Sequence, residues 1–166
     1  MSVSSHDSLA VTQAKHRRRV PLTDMPVWLI AALVAVGVPR TVLADLAVVP
    51  PESGLLYYVL ALAPYGCWLA VAILRPTRKP VADFVALGLL YGISLIVIHQ
   101  LLWGAEGHII PQAAHTFAEQ FDAGLRELVL RVYTSGIAMV IGVGSGLVGA
   151  AVAFATTRVR RARAVR

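Results

Sequence analysis

The feature that most constrains this chain is the apolar run over residues 83–103. Its sequence, DFVALGLLYGISLIVIHQLLW, carries the ionisable side chains Asp83 and His99 only near its two ends. A helix rises about 1.5 Å per residue, so about 20 residues cross the ~30 Å hydrocarbon core of a bilayer. The run therefore predicts a membrane-spanning helix, and the rest of the chain has to be compatible with a membrane.

The composition of the whole chain agrees with this prediction. Hydrophobic residues make up 57% of the 166 residues, and the mean hydropathy is +0.70, which is well above the range of soluble globular domains. The single cysteine, Cys67, excludes a disulfide within one chain. We therefore expect an all-α integral membrane bundle.

Prolines, glycines and charged residues divide the chain into four apolar spans. The expected transmembrane helices lie at about 26–47, 55–74, 81–103 and 132–157, in a single membrane domain over 24–157. A basic tail precedes this domain over 1–23, and a second basic tail follows it over 158–166.

The first span allows a second interpretation. The basic start, the apolar stretch 27–38 and the segment Val42-Leu43-Ala44 together resemble a signal peptide that is cleaved after Ala44. Arg40 interrupts that pattern, and residues 46–49 continue the apolar character. These two features favour an uncleaved span, and the expected topology of the later spans is the same in both cases.

The distribution of basic residues predicts the topology. Outside the spans, Lys and Arg number four, none, three, two and five in successive segments. Since basic residues concentrate on the cytoplasmic side, this alternation predicts a multi-pass plasma-membrane protein with both termini in the cytoplasm. The net charge of +6 lies beside apolar spans, so the expected partner is the lipid bilayer, and no nucleic-acid partner is expected.

The long outer segment between the third and fourth spans has a helical pattern. Apolar residues recur at steps of three and four, which predicts an amphipathic helix from about Gln112. These residues are Phe117, Phe121, Leu125, Leu128 and Val132. On the polar side, the i,i+4 spacing predicts the ion pairs Asp122–Arg126 and Glu127–Arg131. The helix is expected to lie on the outer surface or to continue into the last span.

Small residues form ridges on the third and fourth spans. Gly88 and Gly92 are four residues apart, as are Gly142, Gly146 and Ala150. Such ridges let helix backbones approach closely in lipid. They predict a contact between the two spans, or a contact with a second copy or another membrane protein.

The polar side chains within the spans are expected at similar depths, close to the outer side of the membrane. They predict an outward-facing polar pocket lined by Arg40, Asp45, His99, Gln100 and Glu106, because ionisable groups within spans are costly and mark functional sites. In the competing interpretation these groups reach the interface or cap helix ends, and Asp45, Asp83 and Gln100 fit that interpretation best. If Arg40 is buried, Glu106 is the expected acidic partner.

No familiar catalytic or cofactor pattern is present. The segment GVGSG lacks the glycine that a serine nucleophile motif requires two residues before Ser145, and no histidine follows it. His99, Glu106, His108 and His115 lack the fixed spacing of a metal site. We therefore expect no catalytic residue, no metal and no cofactor, and a non-enzymatic role is favoured.

Two functions follow from these expectations. The leading one is a structural or accessory membrane subunit whose small-residue ridges pack within the fold or against a partner. The alternative is a small transporter or channel that uses Arg40 and His99 in the polar pocket. A membrane enzyme comes third.

Overall fold

The structure is a computed structural model that describes residues 22–49, 54–105, 110 and 112–164. Within these residues the chain is all-helical, without a β-strand. The helices are α1 (Val27–Ala35), α2 (Val38–Asp45), α3 (Leu55–Leu74), α4 (Pro80–Leu101), α5 (Gln112–Ala118) and α6 (Ala123–Ala164). The expectations for residues 1–21 of the first basic tail, for 165–166 of the second, for 50–53 and for Glu106 lie outside the described residues. Residues 158–164 of the second tail belong to α6.

Four segments are long and apolar enough to cross a membrane. They are α1 and α2 taken together (Val27–Asp45), α3, α4 and α6. This confirms the predicted all-helical chain with four apolar spans. The end of the bundle near residues 45, 55, 101 and 131 is called the pocket end below, and the end near 27, 74, 80 and 158 the arginine end.

The first span is interrupted, although the sequence predicts one helix over 26–47. α1 ends at Ala35 and α2 begins at Val38. Gly37 lies between them against the ring of Tyr91, where any added Cβ would clash with the ring. Pro39 lies in the first turn of α2, where its missing N–H has no helical partner to lose. The absence of a side chain at Gly37 makes room for the Tyr91 ring.

The helices form a bundle around a small aromatic centre. α4 packs on α6 and also on α1 and α2, while α3 packs on α6 and on the same two short helices. Trp68 of α3 and Tyr91 of α4 are buried, and their ring centroids lie 5.3 Å apart in an edge-to-face arrangement. The indole N–H of Trp68 donates to the carbonyl of Leu33 at 3.2 Å, so these two rings connect three helices.

The closest helix contact is the crossing of α4 and α6 at their glycines. A Cβ placed on Gly88 would lie 2.5 Å from the carbonyl oxygen of Gly142, and one on Gly146 would lie 2.5 Å from the carbonyl oxygen of Phe84. Gly92 faces Met139 and Ala138, and Ala150 is buried on the same side of α6. Only residues without a side chain leave space for backbones this close. In lipid, where no hydrophobic force drives helices together, such close packing stabilises their association.

A buried carboxylate joins three segments at the arginine end. Asp83 is fully buried and accepts hydrogen bonds from the backbone N–H groups of Asp24 (2.6 Å) and Met25 (3.2 Å) and from the hydroxyl of Thr77 (2.5 Å). The guanidinium of Arg75 lies 3.9 Å away. The sequence favours Asp83 as an interfacial or capping residue, but its carboxylate instead ties the entry to α1, the 75–79 loop and α4 together. We call this cluster the Asp83 latch.

The amphipathic stripe is divided between two helices. α5 has seven residues and α6 has 42, so the chain bends at 119–122 where the spacing predicts continuous helix. The Phe117 ring of α5 contacts Phe121 and Tyr133, with ring centroids 5.4 and 5.5 Å apart. At about 1.5 Å per residue, α6 is about 63 Å long, twice the thickness of a bilayer core.

Only one of the two expected ion pairs on α6 is present. Glu127 and Arg131 lie 2.8 Å apart, as predicted. The Nε of Arg126 instead donates to the carbonyl of Phe121 at 3.2 Å. Phe121 belongs to the bend before α6, where backbone carbonyls lack a helical partner, and Arg126 satisfies one of them.

Candidate functional site

A cavity of about 170 Å³ lies between α2, α4 and α6 in the half of the bundle nearest the pocket end. We call it the polar pocket, because five polar side chains line it: Arg40, Thr41, Asp45, His99 and Thr134. Aliphatic side chains complete the wall. Each helix contributes residues three or four apart, such as Thr41 and Asp45 on α2 or Leu95 and His99 on α4. Such spacing places side chains on one helical face.

Asp45 and His99 connect the two walls of the pocket. Oδ2 of Asp45 lies 2.7 Å from Nδ1 of His99, and Asp45 is only 5% exposed. The sequence places Asp45 at the outer interface, whereas the structure places it inside the bundle. The contact is an ion pair when the imidazole is protonated. A carboxylate in such a place requires a partner, because an unpaired buried charge is strongly unfavourable.

The side chain of Arg40 contacts Tyr57 of α3. Its Nη2 donates to the hydroxyl of Tyr57 at 3.2 Å, and its guanidinium carbon lies 5.5 Å from the centroid of the same ring. Its Nε is buried and has no hydrogen-bond partner among the described residues. No local sequence pattern links Tyr57 to Arg40, because the two residues lie on different helices.

Gln100 belongs to a different network. Its amide donates to the hydroxyl of Ser135 at 3.2 Å and accepts from Arg131 at 3.0 Å. Arg131 also contacts Glu127 and lies 4.8 Å from the ring centroid of Trp103. These contacts fasten α4 to α6 at the pocket end, outside the polar pocket.

Of the five pocket residues expected from the sequence, the structure brings Arg40, Asp45 and His99 into one cavity. Glu106 lies outside the described residues, so the expected Arg40–Glu106 pair does too. Sequence reasoning missed Thr41 and Thr134. Thr41 is detectable in principle, because it lies four residues before Asp45 and shares its helical face. Thr134 could not be identified from the sequence, because its position in the pocket depends on how α6 is rotated about its axis.

The described residues hold no group of three or more His, Cys, Asp or Glu side chains arranged to bind a metal ion. The metal hypothesis also included Glu106 and His108, which lie outside the described part of the chain. The polar side chains that line the pocket supply hydrogen bonds and charge pairing. Its formal charge is zero with neutral His99 and +1 with protonated His99, counting Arg40 and Asp45 as charged.

The pocket does not continue through the bundle. One turn of α4 beyond Leu95, Tyr91 and Trp68 fill the centre with buried rings. Beyond them, the Asp83 latch ties the arginine end together. In this conformation the polar groups form a closed-bottomed pocket.

No protein-family model matches the chain, and neither a curated protein nor a solved structure does.

Proposed function

We propose that this chain is a small multi-pass transporter that binds a small polar solute in the polar pocket. The observation that carries the proposal is the gathering of Arg40, Asp45 and His99 in one cavity between three apolar helices. Ionisable groups within membrane spans are rare because they are costly there, and they mark solute or ion pathways.

The size and charge of the pocket restrict the solute. A dry engineered cavity of about 150 Å³ accommodates benzene, so about 170 Å³ suits a solute of similar size. A formal charge of zero or +1 disfavours a cation and suits a neutral or singly anionic solute. The guanidinium of Arg40 is the natural donor to a carboxylate, since its N–H groups match the geometry of carboxylate oxygens.

The closed bottom of the pocket supports alternating access over a permanently open channel. Solute in the pocket cannot pass the Trp68 and Tyr91 rings or the Asp83 latch unless helices move. We infer that both termini are cytoplasmic, that the membrane is the plasma membrane, that the pocket opens outward, and that α5 lies on the outer surface.

Ligand binding tests this function directly. The purified protein in detergent is screened by thermal shift against small monocarboxylates, zwitterionic amino acids and, for comparison, small amines. We expect stabilisation by an anionic or zwitterionic solute. The Arg40→Gln substitution should weaken that binding at least tenfold, because hydrogen bonds to charged groups contribute about 1.5–3 kcal/mol.

The matched control is Arg126→Gln, since Arg126 is exposed and lies on α6 outside the pocket. Uptake of the identified solute into proteoliposomes then separates transport from binding alone. Stabilisation by no solute, or equal affinity of Arg40→Gln and the native protein, would contradict the proposal.

A structural or accessory subunit is the second candidate. It is favoured by the exposure of α3, because only 17% of its most apolar stretch is buried. Most of that helix is therefore open to lipid or to a partner. A stoichiometric membrane protein that copurifies in mild detergent, together with no solute binding, would select this function instead. A second copy of the chain is detected in the same experiment from the mass of the complex.

A further inference from the structure

A second cavity lies at the arginine end, separated from the polar pocket by the whole aromatic centre. It is an open cleft of about 440 Å³ between the loop before α4 and the last turns of α6. Arg78 lines it from the loop, and Arg160 and Arg161 line it from α6. We call it the arginine cleft.

The arginines of this region divide into two kinds. Arg75 and Arg160 stabilise the fold: Arg75 donates to the carbonyl of Asp24 at 2.6 Å, and Arg160 donates to the carbonyl of Ile73 at 2.5 Å. Arg160 thereby satisfies a free carbonyl at the C-terminus of α3. Arg78 and Arg161 are exposed, and within the described part of the chain neither side chain makes a hydrogen bond or an ion pair.

The acidic side chains nearby are already engaged. The Asp83 carboxylate is fully buried in the latch. Oδ2 of Asp24 accepts the backbone N–H of Arg78 at 3.1 Å and does not line the cleft. Two guanidinium groups with ten N–H donors therefore face an open cleft that no carboxylate of the described residues lines, which suits an anion with several oxygens, such as a phosphate.

The cleft also adjoins apolar surface. Leu74 is 73% exposed at the end of α3, and its carbonyl accepts a hydrogen bond at 3.4 Å from Arg160, which lines the cleft. A molecule seated here thus meets cationic groups on one side and hydrocarbon on the other. Free phosphate uses only the first of these features, whereas a phospholipid uses both.

We propose that the arginine cleft binds the phosphate group of an anionic phospholipid, with Arg78 and Arg161 as its ligands and the acyl chains lying along the exposed end of α3. Basic pockets at helix ends bind such headgroups in other membrane proteins. The site is independent of the transport proposal, because no polar-pocket residue contributes to it.

Native mass spectrometry of the full chain tests the site. Delipidated protein is incubated with phosphatidylglycerol or with phosphatidylcholine, and the lipid bound per chain is counted at increasing collision energy. We expect one tightly held phosphatidylglycerol and at least tenfold weaker retention of phosphatidylcholine. The double variant Arg78→Gln/Arg161→Gln should lose the tightly held lipid, with retention reduced at least tenfold.

The matched control is Arg158→Gln/Arg163→Gln, which removes the same charge from the same end of α6 but outside the cleft. Its retention of phosphatidylglycerol should stay within twofold of the native protein. Equal losses in the two double variants would show general attraction and overturn the site. Inorganic phosphate is the last probe. If millimolar phosphate displaces the lipid or binds as tightly, the cleft is a free-anion site, and the lipid proposal is wrong.

Discussion

The glycines near the α4–α6 crossing differ in how much space surrounds the position that an added methyl group would occupy. Gly88 of α4 and Gly142 of α6 face each other's carbonyl oxygens, whereas a Cβ on Gly136 or Gly144 of α6 would lie within 4 Å of no side chain and no other helix. Glycine is the least favourable ordinary residue in a helix interior, apart from proline. The contact therefore explains glycine at the first two positions, and nothing in the structure explains it at the other two.

Gly142→Ala should destabilise the protein in detergent by about 1–3 kcal/mol, since overpacking displaces backbone. Gly144→Ala, two residues away, should be neutral or stabilise by up to about 1 kcal/mol through helix propensity. Thermal unfolding of both variants in one detergent measures the difference. Equal midpoints for the two variants would place the crossing elsewhere.

Ala47 offers a second test at this scale. It has φ = 53°, and it follows α2 in a capping motif in which the N–H of Val48 donates to the carbonyl of Leu43 at 3.0 Å. Ala47→Gly should stabilise by about 1 kcal/mol, because a left-handed backbone is strained for any residue with a Cβ. Ala31→Gly, at an exposed position within α1, should destabilise by about 0.5–1 kcal/mol. A lower unfolding midpoint for Ala47→Gly than for native protein would contradict the motif.

At the scale of elements, the Asp83 latch shows how one side chain positions several segments. The entry to α1 lies against α4 because its backbone N–H groups reach the Asp83 carboxylate, and the 75–79 loop is held through Thr77. A buried carboxylate that accepts several hydrogen bonds keeps its charge stabilised. The three segments thus depend on one charged group.

Asp83→Asn should destabilise the fold by about 3–5 kcal/mol, as when one partner of a buried pair is removed. An amide offers one acceptor oxygen where the carboxylate offers two, and its NH₂ group would face donors. Asp122→Asn is the control, since Asp122 is exposed outside the bundle. Denaturant titration in detergent measures both. Less than about 1 kcal/mol of loss at Asp83 would mean that other contacts hold the arginine end.

Hydropathy predicted the four apolar spans because it is a local property of each segment, and α3 begins and ends where the sequence indicates. The pairs that define the sites are not local. The need for glycine at position 37 is explained by Tyr91, the orientation of Arg40 by Tyr57, and the burial of Asp83 by Asp24 and Thr77. Each partner lies on another element, so no spacing rule could identify it.

At the scale of the whole molecule, the structure stacks three layers along the bundle axis. The polar pocket lies at one end, the aromatic pair Trp68 and Tyr91 at the centre, and the Asp83 latch with the arginine cleft at the other. This arrangement separates a solute-sized cavity from a basic surface. If the basic surface faces the cytoplasm, as charge distribution favours, the pocket faces outward.

Cysteine labelling of intact cells tests that orientation. In a Cys67→Ala background, a membrane-impermeant maleimide should modify Gln112→Cys on α5 without permeabilisation. It should modify Ala164→Cys, at the end of α6, only after the membrane is opened. Both positions are exposed, so access depends on the side of the membrane. The reverse pattern would invert the topology and place the polar pocket in the cytoplasm.

The length of α6 has a mechanical consequence. The helix crosses α4 near its own middle, at Gly142, and extends about 30 Å from that point in each direction. If α6 moves as a rigid rod about the glycine crossing, its two ends, which lie at similar distances from that crossing, move in opposite directions. A tilt of about 5° would swing each tip by about 3 Å, in opposite directions. Because Arg131 fastens one end of α6 to α4 and Arg160 fastens the other end to α3, such a tilt would shift both contacts at once.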